Sequence, residues 1–179
     1  INVGTWGPLV FVNLDTPDVS LEDYMRPLTE RGDLDKVGNL KFYARKSYEI
    51  KCNWKLFVDN YQDGGYHINS LHPGLAKVVN MDDYHTVNDA WTSVQISPLK
   101  ATKGGQLDES LNRTRKGDAA HYWWLFPNFM MNIYEGVLDT NLVLPLSVDR
   151  CLTIFDFYFA EGTPEAEMRE SVELSLIHI

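Results

Sequence analysis

The chain has 179 residues, of which 44% are apolar, and it carries a formal net charge of −9. This length and composition are sufficient for one domain with its own core, and they exclude a disordered chain. The acidic balance argues against nucleic acid and anionic membrane surfaces as partners. The sequence shows neither an apolar run long enough to span a membrane nor a signal peptide, which predicts a cytoplasmic location.

The first third of the chain predicts two strands and two helices. A β-rich run occupies residues 7–15, and a serine-capped helix follows at 19–28, ending near Pro27. Residues 40–52 alternate in polarity as a strand does. In the segment 53–62 an asparagine precedes four apolar residues at helical spacing, which are Trp54, Phe57, Val58 and Tyr61.

The rest of the chain is dominated by β-rich runs. Residues 74–84 fit a helix or an irregular segment, and the polar stretch 99–120 predicts a loop or hairpin tip. Strands are predicted at 90–98, 121–136, 137–147 and 150–160, and a helix at 163–173. The predicted fold class is therefore α+β, an antiparallel β-sheet with helices packed on one face.

The stretch "NYQDGGYHINSLHPG" at 60–74 holds two histidines, His67 and His72, between a Gly-Gly pair and a proline. On a straight helix a five-residue step leaves two side chains about 140° apart. The glycines and the proline favour a break in the helix, after which both imidazoles can approach one ion. Two histidines and a carboxylate form the facial triad that binds non-haem Fe(II). Spacing alone leaves two ordinary loop histidines as an open alternative.

The two cysteines, Cys52 and Cys151, lie far apart in the sequence and have no CxxC or CxH spacing. They predict two buried, reduced thiols rather than a disulfide, and no metal site within this chain. The remaining internal histidines, His85 and His121, are interpreted as structural or solvent-facing residues rather than ligands.

Two separate blocks of the sequence resemble one enzyme family. "NWKLFVDNYQDGGYHINSLHPGL" at 53–75 resembles the NWK, N-Y, YH and HP-x-L signature of Rieske-type non-haem iron oxygenases, the α subunits of ring-hydroxylating oxygenases. The run "FPNFMMNIYEGVLDTNLVLPLSVDRCLTIFDFYF" is similar to the same family, and in particular to its choline monooxygenases. The opening "WGPLVFVNLD" resembles the strand that leaves the Rieske domain in this family.

The resemblance implies a helix-grip (START-like) catalytic domain in which His67 and His72 bind a mononuclear Fe(II). The third ligand of the family is an aspartate in a later helix, and no aspartate of this chain matches its position. The family links its iron to a neighbouring subunit's cluster through an acidic residue. Asp63 is the candidate here, one place from the family position. Asn60 matches the family's asparagine beside the metal pocket.

The resemblance also implies cofactors and partners outside the chain. They are a Rieske 2Fe–2S cluster in an N-terminal domain, O₂, a ferredoxin or flavin reductase as electron donor, and a homotrimer in the full-length form. The chain is accordingly divided into the end of the Rieske domain with its linking strand (1–15), a catalytic domain incomplete at the C-terminus (16–173) and a tail (174–179). The tail "LSLIHI" matches the translation of a transposon-derived sequencing adapter, and the chain alone is predicted to be inactive.

The aromatic run "HYWWLFPNFMMNIY" is interpreted mainly as core, with Trp124, Phe129 and Tyr134 as candidates for a substrate pocket. The predicted activity is hydroxylation of a small organic substrate. If the substrate is choline or a related quaternary ammonium, an aromatic cage would be the means of binding it. An aromatic-ring hydroxylating dioxygenase with an apolar pocket is one alternative. A non-catalytic START-like ligand-binding module is the alternative of another class.

Overall fold

The computed structural model describes residues 1–63, 65, 80, 82–99 and 116–176. The strands are Asn2–Trp6 (β1), Leu9–Asn13 (β2), Lys41–Ile50 (β3), His85–Asn88 (β4), Thr92–Pro98 (β5), Lys116–Leu125 (β6), Phe129–Glu135 (β7), Val137–Ser147 (β8) and Arg150–Phe159 (β9). The helices are Leu21–Glu30 (α1), Asp33–Val37 (α2), Trp54–Gln62 (α3) and Glu165–Ser175 (α4). Within this described part, no helix has the length and apolar character needed to cross a membrane.

Strands β3 to β9 form one antiparallel sheet in the order β3-β9-β8-β7-β6-β5-β4, and β1 and β2 form a separate hairpin. Strands β6 to β9 follow one another across the sheet because short turns join them. The early strand β3 pairs with the late strand β9, with Lys41 opposite Phe159. The prediction of an α+β fold built on an antiparallel sheet is confirmed.

The strand boundaries differ from the sequence prediction in four places. The opening segment, predicted to hold one strand at 7–15, forms the two strands β1 and β2. The run 121–136 contains two strands, because the turn at 126–128 reverses the chain. Strand β6 begins at Lys116, inside the segment predicted as a loop, because pairing with β7 extends it. Strand β4 was not predicted, since its four residues are all exposed and only one of them, Val87, is apolar.

The two faces of the sheet carry different layers, because successive residues of a strand point to opposite sides. One face, the α3 face, presents buried aromatic residues beneath α3 and α4: Tyr122, Tyr134, Phe155, Phe157 and Phe159. The opposite face presents Trp123, Met131, Ile133 and Leu138 to the hairpin and to α1 and α2. The helices thus lie on both faces, whereas the sequence predicts them on one.

Helix α1 extends past the end that the sequence predicts. Ser20 caps it by accepting from the backbone N of Asp23, and it continues through Pro27 to Glu30. A proline inside a helix removes one backbone hydrogen bond. The burial of Met25 and Leu28 on either side of Pro27 outweighs this loss, because both side chains belong to the core of the opposite face.

A buried polar cluster fixes α2 to the opposite face. Asp33, the first residue of α2, is fully buried and accepts from Nδ1 of His121 at 2.7 Å and Nε1 of Trp123 at 2.7 Å. The Nζ atom of Lys36 donates to the same carboxylate at 3.1 Å. The interpretation of His121 as a structural residue is confirmed by this contact.

Candidate functional site

Helix α3 leads the chain into the motif that holds the predicted metal ligands. Its cap Asn53 accepts from the backbone N of Lys55 at 3.0 Å and donates to the carbonyl oxygen of Val148 at 2.6 Å. The helix ends at Gln62, and Gly65 follows with φ +75°, a conformation that favours glycine. The predicted capped helix and its end before the glycine pair are confirmed.

The predicted site residues fall at the end of α3 and beyond it. Asn60 and Asp63 are exposed and lie one helical turn apart. Oδ1 of Asp63 accepts from the backbone N of Gly65 at 3.2 Å, which gives this aspartate a role in the turn. His67 and His72 lie outside the described residues. The roles assigned to these four residues therefore stay predictions.

A hydrogen-bonded set, here called the Tyr61 network, joins the end of α3 to three strands of the sheet. Nε2 of Gln95 donates to the backbone oxygen of Tyr61 at 2.8 Å, and the hydroxyl of Tyr84 donates to Oε1 of Gln95 at 2.5 Å. The Tyr61 hydroxyl donates to Oδ1 of Asn132 at 2.8 Å. The Nδ2 atom of Asn132 in turn donates to Asp139. The network fixes the side of α3 from which the chain enters the histidine motif.

The tyrosine hydroxyls of this region remain protonated at neutral pH. Burial raises the pKa of Tyr61 well above its ordinary value, and the charge of Asp139 raises it further. Burial also raises the pKa of Tyr84, with a smaller contribution from Asp63. Both groups can therefore act as hydrogen-bond donors, and neither can serve as a base near pH 7.

The three candidates for a substrate pocket do not come together. Tyr134 is buried on the α3 face, with its hydroxyl 3.0 Å from that of Tyr122. Trp124 shares this face but packs near Met130, and its Nε1 donates to the oxygen of Pro127 at 3.2 Å.

Phe129 lies on the opposite face, in edge contact with Phe11 at 6.0 Å between ring centroids. Phe129 and Tyr134 are five residues apart in one strand, so the alternation of side chains separates them. A single cage formed by all three residues is therefore excluded by the described geometry.

Sequence reasoning missed Gln95 and Asn132, two polar members of the Tyr61 network. Like Asp139, they occupy buried or half-buried positions inside apolar strands. A polar residue at an inward-facing position of a strand requires a hydrogen-bond partner, and this was the signal available in the sequence. The pairing of Asn132 with Asp139 across β7 and β8 is needed to see that they lie on the same face of the sheet.

Replacement of Tyr61 by phenylalanine tests the network. The change removes one donor to Asn132 and leaves a partly buried amide oxygen without it. We expect the free energy of unfolding to fall by about 1–3 kcal/mol. Urea denaturation followed by tryptophan fluorescence measures the change. Tyr43→Phe is the matched control because its hydroxyl donates to the exposed Glu165, and an equal loss in both variants would contradict the structural role of the network.

The donor chemistry of the histidine motif suits ferrous iron. Neutral imidazoles such as His67 and His72 are good ligands for Fe(II). Across residues 1–63, 65, 80, 82–99 and 116–176, no three His, Cys, Asp or Glu side chains come together as a possible metal site. The two imidazoles of the histidine motif fit the implied iron.

Comparison with known proteins shows the family of the chain. Residues 37–175 match the family described as the ring hydroxylating alpha subunit (catalytic domain). The chain belongs to this family. Among relatives of the family, the chloroplastic choline monooxygenase of Arabidopsis thaliana is 33% identical over 98% of this chain and 43% of its own length. The carnitine monooxygenase oxygenase subunit of Acinetobacter pittii (strain PHEA-2) is 29% identical over 97% of this chain and 47% of its own length.

A solved structure supports the fold. The quaternary ammonium Rieske monooxygenase CntA, in complex with an inhibitor, superposes with a TM-score of 0.78 at 24% identity, over 97% of this chain and 46% of that chain. This likeness concerns the fold. The chain spans less than half the length of the curated relatives named above.

Proposed function

We propose that the full-length protein is a Rieske-type non-haem iron monooxygenase that oxidises a small quaternary ammonium compound, and that this chain forms part of its catalytic domain. The main support is the similarity, over nearly the whole chain, to relatives named for choline and carnitine. In this proposal His67 and His72 bind a mononuclear Fe(II). The bound iron would supply the activation of O₂ that the oxidation requires.

The α3 face has the chemistry that a quaternary ammonium needs. The quaternary ammonium group has no N–H to donate, and proteins hold such a group against aromatic faces. Tyr122 and Tyr134 are buried on this face, and Asp139 lies on the same face beside Asn132. An arene would require an apolar slot without a carboxylate. This combination favours a cationic substrate over an aromatic hydrocarbon.

The remaining predicted site residues receive proposed roles. Asp63, exposed at the end of α3, would link the iron to the 2Fe–2S cluster of a neighbouring subunit. Asn60 would lie at the edge of the metal pocket. The Rieske cluster, a ferredoxin or flavin reductase as donor, and a homotrimer complete the proposed assembly. The Tyr61 network would keep the helix end in place while substrate enters.

The cellular location is a separate proposal. The sequence predicts a cytoplasmic protein, while the Arabidopsis relative is named as chloroplastic. Subcellular fractionation of the source cells, with an antibody against the full-length protein, distinguishes the cytoplasm from an organelle.

Turnover of the full-length protein tests the proposed function. The protein, supplied with ¹⁸O₂ and a ferredoxin–reductase pair, should incorporate the label into choline or carnitine and not into naphthalene. Mass spectrometry of the products measures this. Label in naphthalene alone would support the ring-hydroxylating alternative. A protein that binds the substrate but contains no stoichiometric iron would support the non-catalytic ligand-binding module.

Substitution of Asp139 by asparagine tests the predicted substrate class. The change removes one negative charge from the α3 face and retains the side-chain shape. We expect the KM for choline to rise about tenfold, which corresponds to about 1.4 kcal/mol, with little change for the neutral isostere 3,3-dimethylbutanol. Asp118→Asn is the control because Asp118 is exposed on β6. An equal rise in KM for both substrates would exclude a charge-specific role.

A further inference from the structure

The two cysteines lie far closer together than their 99-residue separation in sequence suggests. Cys151 is the second residue of β9, and Cys52 stands between β3 and the cap of α3. The pairing of β3 with β9 sets Ile50 opposite Cys151, which leaves the Sγ atoms of the two cysteines 3.9 Å apart. Both thiols are free. Of the two thiols predicted to be buried, Cys151 is buried and Cys52 is half-buried.

We propose that Cys52 and Cys151 form a redox modification site, in which hydrogen peroxide converts the dithiol into an intramolecular disulfide. In the first step the Cys52 thiolate attacks a peroxide oxygen. The S–O bond forms, the O–O bond breaks, and one water leaves after proton transfer. In the second step Cys151 attacks Sγ of Cys52, the S–S bond forms, and the oxygen leaves as a second water. Two electrons pass from the sulfurs to the peroxide.

The surroundings of the two thiols give them different roles in the oxidation. Cys52 is half-buried in the bend after β3, so an oxidant can reach it. Cys151 is fully buried among Val58, Met130 and Val143. Burial raises the pKa of Cys151, and the neighbouring Cys52 raises it further, so Cys151 is the slower nucleophile. The half-buried thiol of Cys52 is therefore oxidised first, and the fully buried thiol of Cys151 resolves it.

The geometry permits the bond without unfolding. The sulfur atoms must approach by about 2 Å, and disulfides tolerate only a narrow range of separations. Cys52 lies outside the β3–β9 ladder and can supply this movement, whereas Cys151 is held in β9. The resulting bond would fix the residue before the α3 cap Asn53 to the sheet. Oxidation would thus tighten the start of the helix that leads into the histidine motif.

Peptide mapping tests the proposal on the full-length protein. The reduced protein is treated with hydrogen peroxide, alkylated and cleaved with trypsin without reductant. We expect CNWK (52–55) linked to CLTIFDFYFAEGTPEAEMR (151–169), with a mass about 2 Da below the sum of the two peptides because two hydrogens leave. Dithiothreitol should release both peptides. The temperature of unfolding of the oxidised protein should exceed that of the reduced protein.

The variant Cys52→Ser is the main control, because Cys52 is half-buried and its replacement leaves the core intact. In this variant Cys151 should remain reduced under the same peroxide treatment, and the unfolding temperature should not respond to peroxide. Three results would overturn the proposal: sulfinic acid at Cys52 without the linked peptide, a Cys52–Cys52 link between two chains, or oxidation of Cys151 in Cys52→Ser at the wild-type rate.

Discussion

Replacement of His67 or of His72 by alanine should abolish iron binding and reduce oxygenase activity of the full-length protein to background. Each change removes one of two neutral imidazoles that the sequence assigns to Fe(II). A site left with one histidine and one carboxylate retains too few ligands to hold ferrous iron against water. Iron content per chain, measured by inductively coupled plasma mass spectrometry, gives the direct answer, and turnover of choline gives the functional one.

A third histidine provides the control for this experiment. His85 is exposed on β4, and its Nδ1 lies 3.0 Å from the backbone oxygen of Asp83. His85→Ala should retain full iron content and activity. The Rieske cluster contributes iron of its own, so the characteristic absorbance of the cluster must be unchanged in all variants. Retention of the mononuclear iron in both His67→Ala and His72→Ala would end the oxygenase assignment of this motif.

The second large effect is expected at Asp33, in the layer opposite the candidate site. Asp33→Asn keeps the shape of the side chain but replaces an acceptor oxygen by a donor. Nε1 of Trp123 and Nδ1 of His121 both donate to this carboxylate, so at least one buried donor loses its partner. We expect the free energy of unfolding to fall by about 3 kcal/mol, the cost of breaking a buried pair. Chemical denaturation at pH 7 measures it.

The same prediction has a defined dependence on pH. Burial alone would raise the pKa of Asp33, but hydrogen bonds and charge from His121 and the charge of Lys36 outweigh burial and hold the pKa below its ordinary value of 3.8. Because the pKa of Asp33 is lower in the folded protein than in the unfolded chain, the ionised carboxylate stabilises the fold when the pH lies above the unfolded-state pKa. This stabilisation is lost as the pH falls through the folded-state pKa. The difference in the free energy of unfolding between wild type and Asp33→Asn should therefore become smaller below pH 3.8.

An exposed neighbour separates this effect from a general loss of charge. Asp35 lies in the same first turn of α2 and is exposed. Asp35→Asn should remain close to wild type in stability at every pH. If Asp33→Asn were no less stable than Asp35→Asn at pH 7, the buried cluster would contribute nothing to the attachment of α2.

Local signals in the sequence were sufficient for some elements and insufficient for others. Helix α3 was predictable because Asn53 caps it and its apolar residues recur at helical spacing. Helix α2 was not, because "DLDKV" is short and polar, and its attachment depends on His121, which lies 88 residues later. The burial of Asp33 comes from this tertiary contact, which no local pattern encodes.

The candidate site likewise has one part that local sequence signals predict and one part that depends on tertiary contacts. The motif with His67 and His72 was found from residue types and spacing alone, and family resemblance gave it a function. The Tyr61 network depends on the register of β7 against β8, which sets Asn132 opposite Asp139. The separation of Phe129 from Tyr134 could have been predicted, since residues an odd number of places apart in one strand face opposite sides. The missing step was to place both residues in a single strand, β7.

The pairing of β3 with β9 has a consequence for the order of events during biosynthesis. Translation completes α3 about ninety residues before Phe155 and Phe157, the aromatic residues beneath that helix, leave the ribosome. Until then the part of the apolar stripe of α3 that packs on β9 has no surface to cover it, and long-range pairing of this kind is slow to form. A nascent chain stopped before Arg150 should therefore expose this stripe to chaperones, while release after Phe159 permits the sheet to close.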